Sequence, residues 1–160
     1  MTRPEERNPT AIARSVIDAN QFMALGTADR DGTPWVSPVW YAPIAYTEFV
    51  WVSRPGTRHS QNIAQRREVA MTIFDSHTSG TWTAVYMAAV AAEVDDAADV
   101  DDALRSFNRA SESRGLRAWA RAEVVKPAEF RLYRATVTEQ YVLGEHDARI
   151  PVELDNARRP

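Results

Sequence analysis

The sequence contains no cysteine. That excludes disulfides, thiolate metal sites and thiol nucleophiles, and it fits a reducing compartment. Lysine is nearly absent as well: Lys126 stands alone, and arginine supplies the rest of the permanent positive charge. An arginine in this chain is therefore informative by its position rather than by its type. No apolar run approaches the length needed to cross a bilayer, and the opening MTRPEERNPT lacks the apolar segment of a secretory signal. These absences predict a cytoplasmic protein with no membrane partner. The formal net charge of −3 gives no support to a nucleic-acid partner. A Gly-x-Ser-x-Gly elbow and a P-loop are both missing. His59, His77 and His146 are scattered without paired ligand spacing, so no metal site is expected.

What is present suits one domain spanning 1–160, with its core over about 10–143. A 44% hydrophobic chain of this size can bury a sizeable core, which a cofactor and a partner subunit can complete. No repeat or interdomain linker interrupts it. Asn8-Pro9 reads as a helix start, with Asn as cap and Pro in the first turn, and Ile12, Ala13, Val16 and Ile17 line one face over 10–19. Residues 21–28 read as a strand, Asp29-Arg30-Asp31-Gly32 as a hairpin turn, and 35–41 as the return strand. Further strands are predicted over 49–53, 69–74, 82–94 and 130–143, with a short one around 149–152. Helices are predicted over 57–66, with Thr57 as cap, and over 95–114. In the latter, Val100, Ala103, Leu104 and Phe107 form the apolar stripe. Closely spaced strands with few helices favour an antiparallel barrel, because each parallel pairing needs a long crossover. The acidic run over 95–102 is read as complementing a helix dipole, not as a metal site. Trp35, Trp40, Trp51 and Trp82 fall in predicted strands, where packing is the default role.

The segment with chemical promise is FVWVSRPGTRHSQNI, residues 49–63. A strand ends at Ser53, Pro55-Gly56 turns the chain, and a helix begins near Thr57. A helix N-terminus exposes unpaired N–H groups and partial positive charge. Thr57 and Ser60 add hydroxyls, and Arg54, Arg58 and His59 can add charge, a combination suited to phosphate. A capped helix with a solvated basic face is the competing reading.

The order of elements and these motifs resemble the flavin-binding split barrels related to pyridoxamine 5′-phosphate oxidase. That family carries a strand ending in Thr or Ser, a Ser-Arg-Lys-like triplet and an Asn-Ile-like pair. Here Ser53, Thr57-Arg58-His59 and Asn62-Ile63 stand in those places, and FRLYRATV, residues 130–137, resembles the closing strand. The resemblance spans roughly 11–143. It implies a mainly β fold, a split β-barrel of about six antiparallel strands of the FMN-binding type with flanking helices. It also implies a homodimer holding FMN in a groove between subunits and acting on a small-molecule substrate. Thr57, Arg58 and His59 would meet the phosphate, and Ser37, Val39, Trp40, Val52 and Ser53 would line the ring or ribityl chain. His59 in place of lysine would make phosphate affinity depend on pH. The family's Arg-x-His element is broken, because Gly144 stands two residues before His146, and Ala84 rather than Gln precedes Val85. These departures point away from vitamin B6 oxidation, toward a related flavin-dependent oxidoreductase of unknown substrate. A deazaflavin coenzyme is the alternative cofactor. A non-catalytic flavin or haem binder, or a structural dimer with a vestigial pocket, is the alternative from another class.

Overall fold

The computed structural model describes residues 8–154. The polar opening residues 1–7, read above for the lack of a signal segment, lie outside the described residues. The elements in order are α1 (Pro9–Ala19), β1 (Phe22–Ala28), β2 (Pro34–Trp40), β3 (Ala42–Ile44), β4 (Glu48–Ser53), α2 (Arg58–Gln65), β5 (Glu68–Phe74), β6 (Ala84–Glu93), α3 (Ala97–Ser113), β7 (Arg131–Leu143) and β8 (Arg149–Pro151). The six long strands and the short β8 are those expected from the sequence, and β3 is a three-residue addition. All strand pairs are antiparallel.

Local chemistry accounts for most boundaries. Asn8 caps α1, its Oδ1 accepting from the amides of Thr10 and Ala11 at 2.9 and 3.4 Å. Asp96 caps α3 in the same way, accepting from Ala98 and Asp99. In the β1–β2 turn, Asp29 Oδ1 accepts from the amides of Asp31 and Thr33, both at 2.9 Å, and Gly32 takes φ 90°. One strand boundary moves by more than a residue. Trp82 takes φ 67° and stands in a turn, so β6 starts at Ala84.

The strands follow the order β2-β1-β5-β6-β7-β4-β3, with β8 added beside β7. β2 and β3 thus lie at opposite ends of the ladder, yet Tyr41 alone separates them in sequence. Two ends one residue apart force the sheet to curl round on itself. The ends meet without pairing, which leaves a split barrel. The concave face buries Met23, Leu25, Met71, Ile73, Val85, Met87, Trp51 and Tyr133, and α1 closes it with Ala13, Val16 and Ile17. α3 packs on the outer face. Its Val100, Ala103, Leu104 and Phe107 meet Ala42, Val50 and Leu132, which alternate with the inward residues of their strands.

Tyr41 is fully buried, and its hydroxyl lies 2.6 Å from the Ile17 carbonyl oxygen and 3.0 Å from that of Asn20. The residue joining the two sheet ends is thereby tied to the end of α1. Burial pushes the phenol well above its ordinary range. Tyr41→Phe should cost about 1–3 kcal/mol in urea unfolding, through buried carbonyls left unpaired. A raised native pKa means that the unfolded state ionises first. Wild-type stability should therefore fall as pH rises above about 10, and the Phe variant should fall less steeply. Parallel pH slopes for the two proteins would contradict this.

Candidate functional site

The candidate site lies where β2 and β4 face each other across the split. β4 ends at Ser53 because Arg54-Pro55-Gly56 breaks it, and the Thr57 amide closes that turn on the Arg54 carbonyl at 3.1 Å. α2 then begins at Arg58 and carries His59 inward. The imidazole is buried, at 8% exposure, and both ring nitrogens are engaged. Nδ1 lies 3.2 Å from Ser37 Oγ on β2, and Nε2 lies 2.9 Å from Ser53 Oγ on β4 and 3.1 Å from Thr57 Oγ1. One side chain thus braces two strands that are not ladder neighbours. Trp35 Nε1 donates to Ser37 Oγ at 3.0 Å, and Thr57 Oγ1 lies 2.9 Å from Ser60 Oγ. The Ser60 hydroxyl in turn bonds Tyr133, which stacks on Trp51 at 5.8 Å.

Two expectations change here. Thr57 makes no side-chain cap on α2, because its hydroxyl donates to the Arg54 carbonyl instead, at 3.0 Å. His59 is turned away from solvent, and burial lowers its pKa below the ordinary imidazole range. The charged form that a phosphate ligand would want is therefore disfavoured. The exposed cation is Arg58, whose guanidinium carbon stands 4.5 Å over the Trp35 ring.

The residues singled out from the sequence separate into groups. Ser37, Ser53, Thr57 and His59 form one bonded cluster, with Arg58 at its rim. Val39 is inside the barrel core. Trp40 and Val52 lie on the opposite face, beside α3, where Trp40 meets Phe107 edge-on at 4.9 Å. Period-two alternation explains the division: Ser37 and Val39 face inward, and Trp40 is one residue out of phase. Sequence reasoning treated Trp35 as packing and gave Tyr133 no role. It also could not tell that α2 buries a polar face. Asn62 Nδ2 donates to Thr27 Oγ1 at 3.0 Å, so His59, Ser60 and Asn62 are all buried beside Ile63. Their helical spacing was available as a signal, but it fits an exposed face equally well.

A curled antiparallel sheet split at one seam, with a helix N-terminus at that seam, defines the split-barrel class. The pyridoxamine 5′-phosphate oxidase family model matches residues 10–147, and the chain belongs to that family. No curated protein matches the sequence significantly. Among solved structures, a haem-binding protein from Mycobacterium smegmatis is similar at TM-score 0.69 and 18% identity, over 95% of this chain and 59% of that one. This chain therefore spans less than two thirds of that protein's length. HutZ, the haem storage protein from Vibrio cholerae, is similar at TM-score 0.65 and 15% identity, over 84% of this chain and 94% of that one. A Clostridium acetobutylicum protein of the pyridoxinephosphate oxidase family, related to general stress protein 26, is similar at TM-score 0.65 and 10% identity, over 93% and 96%. At these identities the likenesses establish the fold. No helix among the described residues is long and apolar enough to cross a membrane.

The lowered pKa of His59 has a pH consequence with a definite sign. The native state resists protonation that the unfolded chain accepts near pH 6.5. Stability should therefore hold above that pH and decline as the pH falls below it. His59→Gln, which keeps a polar side chain without titrating, should flatten that decline. Urea unfolding across pH 4.5 to 8 checks this, with imidazole titration by NMR as the direct readout.

Proposed function

We propose that this chain binds FMN at the seam and serves as a flavin-dependent oxidoreductase, assembled as a homodimer. The observation that carries the reading is the free N-terminus of α2. α1 and α3 are capped by Asn8 and Asp96, whereas α2 has no side-chain cap. Its first-turn amides, on Arg58, His59 and Ser60, have no partner within the helix. Those amides, the helix dipole and the exposed Arg58 guanidinium fit a dianionic phosphate. Arg54 is less available, being paired with Glu129 at 3.1 Å. In this reading Ser37 and Ser53 lie close enough to orient the polar chain of the cofactor, and His59 holds their hydroxyls in place. A bound flavin supplies the redox chemistry itself. Deazaflavin would supply related chemistry, and mass analysis of the extracted cofactor separates the two.

The homodimer is supported by the convex face of β2, β1, β5 and β6. Val36 is 62% exposed, Phe22 58%, Phe74 50% and Val90 39%, and all four point outward there. Between them stand small residues: Ala24 and Gly26 on β1, Ala70 on β5, Ala88 on β6. Apolar exposure of this extent is what a partner surface covers. Val36→Glu should shift the protein toward monomer in light scattering and weaken FMN binding with it. A stable monomer retaining full FMN affinity would sink the shared site.

Haem is the second reading, favoured by two structural neighbours, one a haem-binding protein and one a haem storage protein. Against it, both nitrogens of His59 are already occupied by hydroxyls, so this imidazole is a poor axial ligand. The absorbance of the purified protein distinguishes a flavin from a Soret band. The sharper test uses Arg58→Ala. Charge-assisted hydrogen bonds contribute about 1.5–3 kcal/mol, so FMN affinity should fall roughly ten- to a hundredfold. Riboflavin, which lacks the phosphate, should bind as before. Arg109→Ala, on the exposed side of α3, should change neither. Equal losses for both flavins would show that this turn does not hold the phosphate.

A further inference from the structure

We propose that Arg30, Arg66 and Arg67 form a second anion site, for a pyrophosphate group, at the far end of α2. The three arginines line an open cleft of about 680 Å3 with Gln65 and Glu68. Three guanidiniums there face one carboxylate, and each presents a fork of donors matched to phosphoryl oxygens.

Position distinguishes these arginines from the many others. Arg54, Arg105, Arg117, Arg121, Arg131, Arg134 and Arg149 are each paired with a carboxylate. Among the described residues, Arg30, Arg66 and Arg67 are in no ion pair; Arg58, Arg109 and Arg114 share that state, but only the first three stand together on one cleft. Backbone carbonyls hold two of the side chains instead: Arg66 Nη2 donates to Arg30 O and Arg67 Nε to Ala91 O, both at 3.4 Å. Arg67 is fixed again through its own carbonyl, which accepts the Ala91 amide at 2.8 Å. The Arg66 and Arg67 side chains are tethered, and most of the donors of all three have no partner among the described residues. The partial negative charge at the C-terminus of α2 accounts for one basic residue there, not for three.

The surrounding acids limit where the anion can sit. The Asp29 carboxylate is committed to the amides of its own turn, which lower its pKa. Asp31 is exposed on that turn beside Arg30. Arg67 also borders an adjoining cleft of about 370 Å3 that contains Arg134, Glu93, Asp95 and Asp99. Arg134 is paired with Asp99 there and Glu93 with Arg131, so that side is acid-rich and repels an anion. The attractive field is confined to the Arg30–Arg66–Arg67 end. A single phosphate engages one or two forks, whereas two linked phosphoryl groups match three.

This site is independent of the flavin reading, and calorimetry on the protein as purified tests it. Inorganic pyrophosphate should bind saturably at about 0.15 M salt, where diffuse surface attraction is largely screened. Arg66→Ala, Arg67→Ala and Arg30→Ala should each weaken it about tenfold or more. Arg109→Ala should leave it unchanged, and the added pyrophosphate should displace no bound cofactor. ADP binding as well as pyrophosphate would identify a nucleotide as the source of the group; pyrophosphate binding alone would identify the free anion. Both outcomes support the site. It is overturned if pyrophosphate does not saturate, if sulfate binds equally well, or if Arg58→Ala abolishes binding.

Discussion

A single buried residue constrains the whole sheet. Tyr41 is the only link between β2 and β3, which sit at opposite ends of the ladder order. No flat sheet permits that connection, so seven strands must bend until their ends are a residue apart. The hydroxyl of Tyr41 then fixes this junction to the end of α1. The concave core, the external position of α3 and the unpaired seam between β2 and β4 all follow from that closure.

The seam leaves a problem of polar groups, and α2 answers it. Two strand ends that cannot pair by backbone are connected through side chains, Ser37 and Ser53, with His59 between them. A neutral imidazole suits this position because its two nitrogens can each meet a hydroxyl without bringing a charge into the protein. A lysine here could not bridge both strands as a neutral group. His59 is thus an internal tie rather than a surface cation. It leaves Arg58 as the cation at the rim.

Much of this was legible in advance. The six long strands and three helices follow from alternation, from the 3.6-residue stripe of α3 and from turn residues such as Asp29 and Gly32. The family assignment followed from Ser53, the triplet at 57–59 and the pair at 62–63. The direction of side chains was less legible. Thr57, His59 and Asn62 are polar residues on a short helix, and nothing local says that they turn inward. That depends on β1 and β2 offering Thr27 and Ser37 as partners from distant parts of the chain. Trp40 was grouped with Ser37 by proximity, although one step along a strand reverses the face. β3 was missed because three residues after a buried tyrosine carry no periodic signal.

The long strand β7 contains one residue outside the two-residue rhythm. Its pairing with β6 passes from Glu139–Ala88 to Val137–Ala89, so Thr138 has no opposite number, and its Oγ1 donates to the Ala88 carbonyl at 3.1 Å. Before it, Tyr133, Ala135 and Val137 are buried; after it, Gln140 and Val142 are. Thr138 therefore acts as a phase marker, switching the inward set from odd to even positions. Pairing that residue in regular register, with the bulge straightened out, would shift everything downstream as a frame shift does in a message. Gln140 and Val142 would turn to solvent, Tyr141 would be driven into the barrel, and β8 would inherit a partner strand of the wrong face.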